Sequence, residues 1–165
     1  MKKIIQQPDE VLRKVSIPVP PEMFGSDKLN TILKDMSTLL SKENDGVAIA
    51  APQIGVSYRI FVISKKVFKD EIEDIVCINP EIIKLGKKKV EVSEGCMSVR
   101  WKYGTVKRSE TATIRAQNER GHTFVLPGRG LVAQIFQHET DHLNGTLFID
   151  KARNLEDVPP TPTNA

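Results

Sequence analysis

Two cysteines and three histidines are all the thiol and imidazole side chains that 165 residues offer. Cys77 and Cys96 are too few for a disulfide framework, so a reducing compartment is the expectation. Charge of one sign is lacking too. Lys+Arg number 24 against 21 Asp+Glu, and the net +3, without a dense basic run, excludes a dedicated nucleic-acid surface. Apolar runs stop far short of the roughly 20 residues a membrane span needs. Lys2 and Lys3 are followed by no apolar stretch of the kind a secretory signal carries. Aromatic residues make up only 5%, with Trp101 the single tryptophan. What remains is 39% hydrophobic and 27% charged, the balance of one ordinary soluble domain able to bury a core.

Proline is scarce where the core should be. Seven of ten lie near the ends: Pro8, Pro18, Pro20, Pro21, Pro159, Pro160 and Pro162. Only Pro52, Pro80 and Pro127 interrupt the stretch between Glu22 and Val158, which has no linker and no repeat. One domain over residues 1–153 is expected, followed by a disordered, proline-rich tail over 154–165. Ser26 or Asp27 can cap a helix to about Glu43, with Leu29, Ile32, Leu33, Met36, Leu39 and Leu40 forming a one-sided stripe. Strands are then expected at Arg59–Ser64, Ile75–Asn79, Lys88–Ser93, Glu110–Ala116 and Thr123–Leu126. Pro127-Gly128-Arg129-Gly130 should end the last strand before a helix from Leu131 to Asn144, closed by Gly145. Helix, run of strands, helix is an α+β order.

The last helix carries the unusual residues. On a wheel at about 100° per residue, His138, Leu131, His142, Ile135, Glu139, Val132, Leu143 and Phe136 share one face. Ala133, Gln137, Thr140, Asp141 and Asn144 take the other arc. Two imidazoles one turn apart can reach a single metal ion, the His-Glu-x-x-His pattern. Glu139 leans over the same site, and an apolar wall would favour its neutral form while a cation opposes this. Such a carboxyl can take a proton from a metal-bound water and pass it to a leaving group. A third ligand is required, and His122 or Cys96 can supply it. His122 lies in a turn beside Gly121. Cys96 lies in Glu94-Gly95-Cys96-Met97-Ser98, whereas Cys77, inside I-V-C-I-N, reads as core. A third segment, Gly46 to Gly55, is small and apolar and reads as a tight turn into the next strand. Gln53 is its one polar side chain and wants a partner.

With these segments in view the sequence resembles the peptide deformylases. Gly46–Gln53, Glu94–Ser98 and Gln137–Leu143 stand in the order of that family's three motifs. The start Q-P-D-E-V-L-R-K-V, the corner at Ile78-Asn79-Pro80 and the ending G-T-L-F-I-D extend the likeness over roughly residues 4–151. The resemblance implies mostly antiparallel strands around a C-terminal metal-binding helix, with an N-terminal helix. It implies removal of the formyl group from N-terminal formylmethionine of nascent polypeptides, with metal-bound water as nucleophile. Cys96, His138 and His142 would bind the metal, and Glu139 would be the general acid and base. Gln53 and the backbone N–H of Met97 would stabilise the oxyanion. The formyl-methionyl peptide would lie as an added strand against Val47, Ala48 and Gly95, its methionine side chain near Gln134 and Ile135. Glu94 and Arg108 match a pair that is salt-bridged in the family; from the residues alone they read equally as unrelated surface charges.

The family works best with ferrous iron, and Zn2+, Ni2+ or Co2+ also suit a Cys-His-His donor set. With nothing resembling an organelle transit peptide, the bacterial cytoplasm is the expected location. The family's members act on chains leaving the ribosome. Some dock there through a basic C-terminal helix, which this proline-rich tail does not match. Direct nucleic-acid binding and membrane association are not expected. Three positions depart from the pattern. Ala48 replaces a glycine and would narrow the substrate groove, Met97 replaces leucine, and Arg100 stands where proline is usual, next to Trp101. Two other readings carry the same motifs: a zinc endopeptidase, and a catalytically impaired formyl-peptide-binding relative. Against the first, only 23 residues follow His142 to provide a later ligand.

Overall fold

A computed structural model describes residues 2–161. Helix α1 spans Asp27–Lys42, and its N-terminus is capped by Ser26, whose Oγ accepts from Leu29 N–H at 3.2 Å. Such a cap contributes about 1 kcal/mol. Strands β1 (Ala48–Ala50), β2 (Ile60–Ile63) and β3 (Ile75–Leu85) follow. Then come β4 (Lys89–Gly95), β5 (Lys102–Ser109), β6 (Thr111–Gln117) and β7 (Thr123–Arg129). Helix α2 (Leu131–Leu143) and strand β8 (Arg153–Asp157) complete the described chain.

The strands form two antiparallel sheets. One has the order β1-β2-β3-β6-β7, the other β4-β5-β8. The I-F-V-I run of β2 is apolar throughout because both its faces are covered. Ile60 and Val62 pack with Leu29, Leu33, Met36 and Leu40 of α1, while Phe61 and Ile63 pack with Ala133, Ile135, Phe136 and Leu143 of α2. The larger sheet is thus clasped between the two helices, an α+β architecture. A third cluster, Leu12, Val99, Val106, Leu147 and Phe148, packs beside the smaller sheet.

The structure redraws several expected boundaries. Pro127 does not end β7. It sits inside the strand opposite Thr113, and β7 is an outer strand with β6 as its one neighbour, so the missing N–H breaks no ladder. The segment Gly46–Gly55 is not all turn, since Ala48–Ala50 form the outer strand β1. The tail does not start at 154. Residues 153–157 pair with β5, with Tyr103 opposite Glu156, and Val158 N–H donates to the Trp101 carbonyl at 2.8 Å. Backbone pairing, which composition does not report, holds this polar stretch. Residues 162–165 of the expected tail lie outside the described residues.

Candidate active site

Helix α2 is the floor of the site because its neighbours leave it no other face to present. Leu143, Phe136 and Ala133 are consumed by the sheet. His138 and His142, one turn apart, place their ring centroids 5.0 Å from each other. Two residues of the opposite arc are buried as well. Ala133 is fully covered, and Gln137 accepts from Ser109 N–H and donates to the Ser109 carbonyl, both at 2.9 Å. The wheel treated that arc as the outer one. β5, not expected from the sequence, covers Gln137, and Ala133 clusters with Ala112, Ile114 and Ala116 of β6.

Cys96 follows β4 directly, and the end of that strand delivers its thiol to the helix. Sγ lies 3.3 Å from His142 Nε2, and one ligand atom each from Cys96, His138 and His142 fall within 4.8 Å of one another. This is the one such group among the described residues. His122 is exposed in the turn between β6 and β7 and does not join it, and Cys77 is fully buried in the core, where burial pushes its thiol up. Of the two candidates for a third ligand, Cys96 and not His122 is gathered with the histidines.

Glu94 and Arg108 are not surface charges. Their side chains are each 3% exposed, joined by Nε and Nη2 of Arg108 at 2.7 and 2.8 Å. Nη1 of Arg108 donates to Asp141 at 2.7 Å, tying β5 to α2. Glu94 Oε1 also stands 2.7 Å from His138 Nδ1. Burial pushes the Glu94 carboxyl up, but Arg108 and His138 outweigh it and hold it at about 2. An ionised Glu94 accepts a hydrogen bond from His138 Nδ1–H, which leaves Nε2 as the atom a cation would bind by displacing its proton. Burial works against charge on His138 as well, yet Cys96, Glu94 and Glu139 raise it well above its ordinary range. His142, by contrast, is held neutral by burial and by the neighbouring His138. A neutral imidazole is the metal-binding form.

Glu139 is 4% exposed, and its Oε2 has no hydrogen-bond partner among the described residues. Burial, opposed by His138, pushes its carboxyl up to about 7. A buried orphan carboxyl oxygen beside a cysteine sulfur and two imidazoles is what a cation and its water would satisfy. The donor set fits one divalent ion.

These groups open into a cleft of about 350 Å³. One wall is Asp45, Gly46, Val47 and Ala48, leading into β1; the other is Ser93 to Met97 with Arg100 and Tyr103. Leu131, Gln134, Ile135, His138 and Glu139 of α2 form the floor. The residues that the resemblance assigns to metal, catalysis and peptide binding all line this cleft except His142, which is 1% exposed behind it. The walls are the outer strands of two different sheets, β1 and β4. Gly95 faces Tyr103 across the β4–β5 ladder, and a Cβ there would lie 2.5 Å from the Tyr103 ring. Gly46 is equally constrained, since a Cβ would meet Met97 Sδ at 2.7 Å. Gln53 has found its partners. Its Oε1 accepts from Ala50 N–H at 2.9 Å, and its Nε2 donates to Ser98 Oγ at 3.0 Å and faces Cys96 Sγ at 3.6 Å.

Sequence reasoning missed Tyr103, Asp45, Leu131 and Ser93, and it missed Ser98 as the anchor of Gln53. Only Gly95 held a usable signal, because a glycine in a strand marks a close approach, here that of Tyr103.

Residues 1–158 match the polypeptide deformylase family. The chain is 41% identical to peptide deformylase 2 of Clostridium acetobutylicum over 151 residues, 91% of this chain and 94% of that one. The crystal structure of a peptide deformylase from Legionella pneumophila superposes with a TM-score of 0.84 at 42% identity, covering 93% of this chain and 87% of that one. A peptide deformylase from Acinetobacter baumannii with Met-Ala-Ser bound superposes with a TM-score of 0.82 at 29% identity, covering 92% and 98%. The chain belongs to the polypeptide deformylase family.

Proposed function

From that membership we propose that this chain is a metal-dependent hydrolase that removes the formyl group from N-terminal formylmethionine of nascent polypeptides. The observation that carries the reading is Cys96, His138 and His142 gathered within 4.8 Å, with the unpartnered Glu139 Oε2, in a cleft between two strand edges. Cys96 comes from upstream of the helix, so no later ligand is needed and the endopeptidase arrangement is not favoured.

Cys96 Sγ and the two imidazoles would hold one divalent ion, which supplies a Lewis acid for the formyl oxygen and lowers the pKa of water. We assign Fe2+ as the ion in the cell; Zn2+, Ni2+ and Co2+ suit the same donors. The chain's own groups do the rest. An extended peptide pairs with the backbone at Val47 and Ala48 on one wall and at Gly95 on the other. Its methionine side chain lies toward Gln134 and Ile135. Gln53 Nε2 and the Met97 N–H donate to the oxygen that gains charge when water adds to the formyl carbon. Glu139 takes the proton of the attacking water at Oε2 and returns it to the amide nitrogen as the C–N bond breaks, leaving formate and a free amine. A carboxyl near 7 can do both.

We place this activity in the bacterial cytoplasm, in passing contact with the ribosome. Its curated relatives include bacterial proteins, and no helix among the described residues is long and apolar enough to cross a membrane. Glu139→Gln, purified without oxygen, should retain metal by elemental analysis and lose formate release from formyl-Met-Ala-Ser by a factor of about 100 or more. Near-normal turnover would sink the role of Glu139. Absence of formate release by the unaltered, metal-loaded chain would sink the function.

A further inference from the structure

Arg100 reaches across the mouth of the cleft. Its Nη1 and Nη2 donate to Asp45 Oδ2 and Oδ1 at 2.8 and 3.2 Å, and Nη2 also donates to Glu43 Oε2 at 2.8 Å. The guanidinium lies 4.3 Å over the Trp101 ring, and the side chain is only 16% exposed. Desolvation works against its charge, but Asp45 and Glu43 more than compensate, and Asp45 is held below the ordinary carboxylate range.

Those partners belong to opposite walls. Asp45 precedes Gly46 and β1 in the larger sheet; Arg100 follows Cys96 and Met97 from the smaller one. A peptide that pairs with both Ala48 and Gly95 needs one separation between them, and no ladder of either sheet sets it. Packing of Gly46 against Met97 is one tie. Gln53, which accepts from Ala50 N–H of β1 and donates to Ser98 Oγ, is a second. The bidentate, aromatic-backed Arg100 is the third, and its fork geometry fixes direction as well as distance.

We propose that Arg100 is a positioning residue for substrate binding, clasping the two walls at the spacing an added peptide strand requires. The proposal rests on the deformylase reading for the identity of that peptide. It predicts an effect on binding, since His138, Glu139 and His142 are carried by α2, Cys96 is placed by the end of β4, and none of them hydrogen-bonds to Arg100.

The test uses the metal-loaded chain with Arg100→Ala, Arg100→Lys, Asp45→Asn and the Arg100→Ala/Asp45→Asn double variant. Calorimetric titration with the product Met-Ala-Ser gives Kd, and formate release from formyl-Met-Ala-Ser gives KM and kcat. Arg100→Ala should raise Kd and KM about tenfold with kcat within about twofold and metal content unchanged. Lysine, a point charge without the fork, should fall between. The double variant should be no worse than Arg100→Ala alone, because both remove the same contact. About 1 M salt should weaken peptide binding by the unaltered chain and leave Arg100→Ala unmoved. An unchanged Kd, additive effects of the two substitutions, or a fall in kcat or metal content at constant KM would overturn the proposal. If Arg100→Ala does not fold, Arg100→Lys and Asp45→Asn answer the same question. A chain that binds Met-Ala-Ser but releases no formate would fail as a deformylase while still reporting on the clasp through Kd.

Discussion

Two arginine–carboxylate sets flank Cys96, and they differ in how much water reaches them. Glu94 and Arg108 are each 3% exposed; Arg100 is 16% exposed, and its partners Glu43 and Asp45 are 34% and 54% exposed. Burial makes the first pair expensive, because desolving two charges offsets most of their attraction. What it delivers is direction: Glu94 orients His138, and Arg108 ties Asp141 on α2 to β5. The second set is cheap, screened by salt and free to breathe. It sits where the peptide enters rather than where bonds break. The comparison teaches that the same chemistry holds a ligand rigid when buried and sets the width of a cleft when half-exposed.

Breaking the buried pair on one side should give the largest effect. Arg108→Ala leaves buried Glu94 with only His138 and Asp141 with only Lys151, a loss of about 3–5 kcal/mol. Thermal denaturation followed by circular dichroism should show a chain that melts far lower or does not fold. Removing both charges with Glu94→Leu/Arg108→Met should restore the fold, since well-packed apolar replacements of such pairs are often neutral. His138 then loses its orienting carboxylate, and metal affinity should fall about 10- to 100-fold, read by competition with a chelator. A double variant that binds metal normally would show that Glu94 is structural only.

Glu94→Gln sharpens the comparison at smaller scale. It keeps an acceptor for His138 but removes the charge. The Glu94 carboxyl is held at about 2, below its usual range, so its stabilising contribution is complete above the unfolded pKa of about 4.3. That contribution is lost as pH falls from there toward 2. Urea midpoints of the wild-type chain should therefore decline steeply over this window, and those of Glu94→Gln should decline less. Parallel declines would show that other carboxylates carry the acid sensitivity.

How much of this contrast could be read from sequence follows from what each residue packs against. The stripe of α1, the all-apolar β2 and the one-turn spacing of His138 and His142 are local patterns, and they were legible. Arg108 was legible only through the resemblance that pairs it with Glu94, because from the residues alone a buried arginine in K-Y-G-T-V-K-R-S looks the same as an exposed one. The same holds for Gln137, placed on an outer arc until β5 is known to cover it. Polar β8 gives no hydrophobic signal, and its pairing with β5 is a matter of backbone. His122, placed by its glycine in an exposed turn, was the weaker candidate for third ligand, and the resemblance pointed to Cys96 before the fold did. Arg100 stood out only as a departure from a family pattern; its ties to Asp45 and Glu43 required the two walls to be seen together.

The smallest effect should come from a third pair that lies away from the cleft. Arg13 and Asp150 are joined by two contacts at 2.5 and 3.1 Å, with side chains 45% and 38% exposed. The hydrogen bond from Arg13 holds Asp150 below the usual carboxylate range. Its contribution is therefore present above the unfolded carboxyl pKa and lost as pH falls below it. Solvent screening keeps that contribution under about 1 kcal/mol. Arg13→Gln should shift the urea midpoint slightly and leave Kd for Met-Ala-Ser and KM unchanged. Arg100→Ala, which removes a less exposed guanidinium, should cost somewhat more stability than this and, unlike Arg13→Gln, weaken peptide binding. If Arg13→Gln weakens binding equally, loss of any half-exposed ion pair loosens the chain enough to be felt in the cleft, and the position of Arg100 confers nothing special. If only Arg100→Ala does so, exposure sets what a pair is worth to stability, and its place between the two sheets sets what it is worth to function.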